Sequence, residues 1–363
     1  MTANGDDDGL RSSRASGGMA LERLTGAGWD RLVAARPPAD PLRRIAWLGA
    51  WLAEAGHGVE PGCVIVDRGR VPVAAAPLET VSRGGLRMVR HLGQGDAWFH
   101  IEPPAADDAA RHTLLAAIAA EPGDILVLDG FGADEGTLAA LRSAIPRVRL
   151  SLGETWRLTI SEPPRALRKR RKEAGRAMRR AAERGVSLST HWSTDWSAIA
   201  PRIGALLDFH AAHFPGEGVN LLAAPGTRRR LAERAIAAMG AEGRVRLAEV
   251  RVEGGSLVAW DLAFVGEGGS AVAYAGAFDR AREDLMTLGW ISMLSMVEAL
   301  REEGVEIVDF GPGPAPYKNL ISSSVPLVRA TAPLSRRGQA ALGAHRLVQA
   351  VRGRRPTRTG TGG

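Results

Sequence analysis

The sequence predicts an α/β protein made of two copies of one unit, each a mixed, mostly antiparallel twisted sheet flanked by helices. Three observations carry this expectation. Cys63 to Ala74 reads as strand, tight turn, strand, and Ala248 to Ala259 reads the same way. Each hairpin is followed by a helix and then a strand: Ala109 to Ala120 and Asp124 to Gly130 in the first half, Trp290 to Glu303 and Val305 to Gly311 in the second. A length of 363 residues is comfortable for two such domains.

Taken in order, residues 1–25 are expected to be disordered, because Asp6-Asp7-Asp8 gives way to a Ser/Arg/Gly-rich stretch. Residues 26–150 form the first domain, and residues 151–333 form the second, which carries a basic helix over 164–184. An Arg-rich tail occupies 334–363 and looks disordered beyond Arg352. The basic helix has a thin apolar stripe of Ala166, Leu167, Ala174, Ala177, Met178 and Ala181, and Gly185 stops it before the strand Val186 to Thr190.

The composition, 45% hydrophobic and 24% charged, is that of a globular protein with a sizeable core. No run of about 18 apolar residues occurs, and the N-terminus has no apolar signal region. The expected location is cytoplasmic, with the inner membrane face as a peripheral alternative. The net charge of +7 is unevenly spread. Arg165 to Arg184 holds ten basic residues against Glu173 and Glu183, which is +8, and Ser335 to Gly363 adds seven arginines without an acid, leaving the rest of the chain at −8. Two readings of the 165–184 helix stand: a solvated helix whose alkyl stems cover the core, or a docking site for an anionic partner. Between Pro163 and His191 there is no aromatic residue to stack on bases, which weighs against single-stranded nucleic acid.

The stretch from Ala271 to Lys318 is the richest in chemistry. A strand, Ala271 to Ala275, leads into the polar loop Phe278 to Asp284, after which Leu288, Ile291, Leu294, Val297 and Leu300 recur at helical spacing. Gly304 ends that helix, and Val305 to Phe310 reads as a buried strand lying parallel to the first, since a crossover helix joins them. The free N–H groups of Leu288, Gly289 and Trp290 would face whatever lies at the loop, which is a phosphate-binding arrangement.

The chain resembles the CelD-like acyltransferases, relatives of the GNAT acetyltransferase superfamily and of the Fem-type aminoacyl transferases. The likeness rests on Thr287-Leu288-Gly289, where that family has Ser-Pro-Gly, and on Asp309-Phe310-Gly311 followed by Tyr317-Lys318. Asp208 to Phe214 and the hairpin Leu247 to Phe264 fall in the family's order. Leu288 replaces the proline, and Gly311 to Pro316 lacks the acidic residues usual before Tyr-Lys.

The resemblance implies tandem GNAT-like domains and transfer of an acyl group from acetyl-CoA or another acyl-CoA to an amine or hydroxyl of a sugar or envelope-polymer precursor. It implies that Tyr274, Ala275 and Gly276 line a pantetheine slot and that Thr287, Leu288, Gly289 and Trp290 bind pyrophosphate. Tyr317 would protonate the departing thiolate or anchor the acceptor, Lys318 would supply positive charge, and Asp309 or Glu249 would act as base. Asp208-Phe209-His210, with Phe214, would line an acceptor pocket or simply pack. Two alternatives stay open: a Fem-like transferase using aminoacyl-tRNA, with the basic helix as its tRNA arm, and a silent adaptor that binds an anionic polymer.

Other chemistries find little support. Cys63, the sole cysteine, lies in an apolar strand and reads as core rather than nucleophile. His210 and His213 have a helical metal spacing but no evident third ligand, so no metal is expected. Gly311-Pro312-Gly313 lacks the spacing and following helix of a dinucleotide fingerprint, and no phosphate-loop motif occurs.

Overall fold

The computed structural model describes residues 9–35, 40–54, 58–94, 102–213, 226–282, 287–313, 315 and 317–353. The first half runs β1 (Leu10–Ser16), α1 (Met19–Gly26), α2 (Trp29–Ala34), α3 (Ile45–Glu54), β2 (Val59–Arg68), β3 (Val71–Arg83), β4 (Leu86–His91), α4 (Asp108–Ala119), β5 (Ile125–Gly132), α5 (Glu135–Ala144) and β6 (Arg149–Thr159). The helix α6 (Arg165–Glu183) connects the halves. The second half then repeats the order: β7 (Leu188–Ser193), α7 (Trp196–Ile199), α8 (Ile203–His213), α9 (Thr227–Ala241), β8 (Val245–Val252), β9 (Leu257–Val265), β10 (Ser270–Phe278), α10 (Leu288–Glu302), β11 (Ile307–Pro312), α11 (Lys318–Ile321) and β12 (Ser323–Pro333), followed by α12 (Arg336–Gly353). The hairpins read from sequence are β2–β3 and β8–β9, held by Gly69 and by Gly254-Gly255 in the positive-φ conformations that glycine tolerates.

All twelve strands join one sheet in the order β1-β2-β3-β4-β5-β12-β6-β11-β10-β9-β8-β7. Matching β1–β6 to β7–β12 makes this order symmetric about its centre, with each half contributing its last strand to the other. Thus β12 pairs antiparallel with both β5 and β6, while β6 pairs with β11. The expected boundary at 150/151 falls inside β6, a strand of the first half that is seated in the second. The N-terminal expectation is also corrected. Leu10 to Ser16 is an edge strand in register with Arg68 to Gly62, and Leu24 of α1 is fully buried, so residues 9–25 are ordered by backbone pairing and a core contact. The tail likewise begins as α12, whose Gly338 lies so close to the Asp124 carbonyl that no Cβ would fit.

One face of the sheet carries a core shared by both halves, in which Trp29, Trp47 and Trp51 join Leu206, Ile236, Met239 and Trp260. The other face has separate cores, one under α4 and α5 and one under α6 and α10. Arg44 spans the halves on the shared side, pairing with Asp30 at 3.1 Å, Glu242 at 2.6 Å and Glu267 at 2.7 Å. Glu54 of α3 receives Arg230 and Arg234 of α9 at 2.9 and 2.8 Å. Burial of the tryptophans is the larger stabilising term, since ion pairs near the surface contribute little each.

Candidate active site

The two central parallel strands of the second half separate early. β10 and β11 pair only from Ser270↔Ile307 to Val272↔Asp309, whereas β10 stays paired with β9 as far as Phe278↔Ala259. A bulge between Ala273 and Ala275 bends β10 at the point of departure. Beyond Val272, therefore, Tyr274, Ala275 and Gly276 present a strand edge to a gap. The ring of Tyr274 turns away to stack on Phe264, centroids 4.5 Å apart, so it is the backbone of this residue that borders the gap.

α10 begins beside this gap. Thr287 is its N-cap but makes no side-chain capping bond, and its buried Oγ1 has no hydrogen-bond partner. Among the described residues, then, no side chain caps the N–H groups at the helix start. Leu288 is buried, and a Cβ on Gly289 would come within 2.8 Å of Cδ1 of Phe278, so this glycine admits the Phe278 ring beneath the first turn. Two guanidinium groups flank the start: Arg170 lies 5.1 Å from the Trp290 ring and Arg280 lies 6.0 Å from that of Phe278. Positive charge and a helix N-terminus therefore coincide.

A carboxyl group that sequence reasoning passed over lies at the same place. Asp261, the sole charged residue of β9, is in register with Gly276 of β10, and a Cβ on Gly276 would overlap its Oδ1. The side chain therefore lies across β10 toward the gap. Ser292, buried in the second turn of α10, donates a hydrogen bond to Asp261 Oδ2. Burial pushes the Asp261 carboxyl up to about 7, against the lowering effect of that bond. Tyr317 is 38% exposed and its ring meets Phe310 edge-on at 6.2 Å, while the packed inner side of the site and the neighbouring Asp261 push its phenol up to about 12. One sequence signal pointed here: a lone acid in an otherwise apolar strand, LVAWDLAFV.

The other residues named from sequence have different surroundings. Asp309 accepts from Thr155 Oγ1 at 2.6 Å, Arg157 Nε at 2.8 Å and the Gly311 N–H at 2.8 Å, so it braces β11 against β6 and the turn. Lys318 Nζ donates to the carbonyls of Gly311, Pro312 and Gly313 at 3.0, 2.9 and 3.2 Å, which uses all three of its protons within the turn. Burial lowers the pKa of this amine, with Asp309 and Glu154 acting against that shift. Glu249 is buried between Arg202 and Arg251 on the opposite face of the sheet from Ser292, because alternate residues of a strand face opposite ways. Asp261 and Tyr317 are thus the titratable groups at the gap, whereas Asp309, Glu249 and Lys318 are held by internal partners.

His210 is buried with its ring centroid 6.1 Å from that of Trp260, and burial lowers its pKa to about 4, so it belongs to the shared core. His213 lies 3.6 Å from Asp279. Phe214 lies outside the described residues, as do Glu283 and Asp284 of the polar loop. Among the described residues no group of three or more His, Cys, Asp or Glu is placed to hold a metal ion, and no helix is long and apolar enough to cross a membrane.

Residues 168–319, which include the gap, α10, Asp261 and Tyr317, match the family described as Acetyltransferase (GNAT) domain. No curated protein matches the chain by sequence. Among solved structures, FemX is similar over 86% of this chain and 96% of its own, with a TM-score of 0.59 at 12% identity. A conserved protein of unknown function from Bacteroides thetaiotaomicron VPI-5482 is similar over 89% of this chain and 100% of its own, with a TM-score of 0.57 at 11% identity. At such identities the likeness concerns the fold, which spans both halves in each case. The chain is a tandem α/β protein whose second half has the GNAT-type acyltransferase fold.

Proposed function

We propose that this protein transfers an acyl group from acetyl-CoA or another acyl-CoA to an amine or hydroxyl, and that it is a CelD-like member of the GNAT superfamily acting on a sugar or envelope-polymer precursor. The observation that carries this reading is the separation of β10 from β11 after Val272, directly beside the start of α10, which Thr287 does not cap with its side chain. An extended pantetheine arm fits a strand edge that has parted from β11, and a pyrophosphate fits a helix N-terminus flanked by Arg170 and Arg280. Tyr317, with a phenol held in its protonated form, suits protonation of a departing thiolate.

The reading is tested by calorimetric titration of acetyl-CoA into the full chain at about physiological salt. Saturable binding at one site supports it, and absence of binding rejects acyl-CoA as donor. Gly289→Glu is a poor control for pyrophosphate binding, because its side chain would strike Phe278. A better control is competition by CoA and by free pantetheine, which separates the contribution of the phosphates.

A second reading is a Fem-like transferase that uses aminoacyl-tRNA. It is favoured by the likeness to FemX and by α6, where Arg165, Arg168, Lys172, Arg176 and Arg179 form an exposed row with no ion pair among the described residues. It predicts steeply salt-dependent tRNA binding in place of acetyl-CoA binding. An adaptor would bind a polyanion and turn over neither donor.

A further inference from the structure

Any acyl transfer at the gap between β10 and β11 needs a group that takes the acceptor's proton, and this inference rests on the function proposed above. Three features single out one carboxyl. Asp261 lies across Gly276, the residue of β10 that borders the gap, and the missing side chain there is what admits it. Its Oδ2 is fixed by Ser292 of α10, while no described residue donates a hydrogen bond to its Oδ1. Tyr317, placed by the turn after β11, is the titratable neighbour, whereas Asp309 and Lys318 are turned onto Arg157 and the turn carbonyls.

We infer that Asp261 is the general base of this site and that Ser292 is its positioning residue. The acceptor nitrogen or oxygen bonds to the thioester carbonyl carbon and its proton passes to Oδ1 of Asp261. As the carbon–sulfur bond breaks, the phenolic proton of Tyr317 passes to the thiolate, giving free CoA. Asp261 then gives its proton to solvent and the Tyr317 phenolate takes one up, so both groups end as they began. Ser292 keeps the carboxylate syn to the gap and stabilises its charged form. A carboxyl that titrates near neutrality in this setting is matched to such a task.

The test uses acetyl-CoA with water as acceptor and follows thiol release by the full chain across pH 5 to 9, with acetyl-CoA affinity measured alongside. The wild type is expected to release thiol with an acidic limb near neutral pH. Asp261→Asn should lower the rate by about 100-fold or more, with affinity unchanged within about two-fold. Ser292→Ala should stay active but move the acidic limb to higher pH, because the bond it removes lowers the carboxyl pKa; a purely structural serine would leave the limb in place. Failure of the wild type to bind acetyl-CoA would overturn the proposed function. Binding without thiol release, or an Asp261→Asn protein that retains a third or more of the rate, would overturn the base assignment alone.

Discussion

Gly276 of β10 lies beneath the carboxyl of Asp261 of β9, with no room between them for a Cβ. Every larger residue at 276 must therefore push the carboxyl away from Ser292 or push β10 out of line. Gly276→Ala is expected to cost about 1–3 kcal/mol of stability and to weaken acetyl-CoA binding. Chemical denaturation and calorimetry on the same preparation check both effects.

Lys318 acts as a clamp. Its ammonium ties together three consecutive carbonyls, those of Gly311, Pro312 and Gly313, immediately before Tyr317. Lys318→Met leaves the buried Gly311 carbonyl unpaired and the other two open to water, and should destabilise the protein by about 1–3 kcal/mol. Tyr317→Phe should leave stability nearly unchanged and lower thiol release. Opposite results, an inactive but stable Lys318→Met and a destabilised Tyr317→Phe, would return Lys318 to the ligand.

The pH dependence of stability carries the signature of Asp261. Its carboxyl titrates at about 7 in the fold against 3.8 ordinarily, so between those values the folded state holds a proton that the unfolded chain has lost. Stability contributed by this group is therefore complete below about pH 4 and is lost as pH rises through 7. Asp40, buried and also pushed up to about 7, acts in the same direction. Asp261→Asn is expected to be more stable than the wild type by about 1–3 kcal/mol at pH 8, with the difference vanishing near pH 4. Urea titrations at the two pH values measure it.

The first half holds the counterpart of the gap, between β4 and β5, and fills it. These strands pair from Met88↔Ile125 to Arg90↔Val127, and just beyond, the Gln94 side chain accepts the N–H groups of His91 at 3.2 Å and Asp129 at 3.3 Å. A side chain thus occupies the space that the second half leaves open. The expected outcome is one acetyl-CoA per chain in the calorimetric titration, and Gln94→Ala should cost about 1–2 kcal/mol of stability. A second donor site in the wild type would contradict this closure.

The sequence by itself determined the local parts. Alternating hairpins around Gly69 and Gly254, helical spacing from Leu288 to Leu300 and the stop at Gly304 are short-range patterns, and the elements form where those patterns lie. They also revealed the duplication and placed the start of α10 after the β10 strand. Within the expected disordered stretch 1–25, the polar LRSSRAS gives no local strand signal, and its pairing with β2 depends on a partner some fifty residues away in the chain. Only the tertiary structure decided that β6 and β12 change places, since each strand looks equally suited to either half. It also decided which acid meets the gap. Glu249, Asp261 and Asp309 are alike as letters in a strand, but register turns Glu249 onto Arg202, ties Asp309 to Arg157 and Thr155, and sets Asp261 over a glycine with Ser292 as its partner. A carboxyl's chemistry follows from its neighbours and its access to water, and both are fixed by long-range pairing.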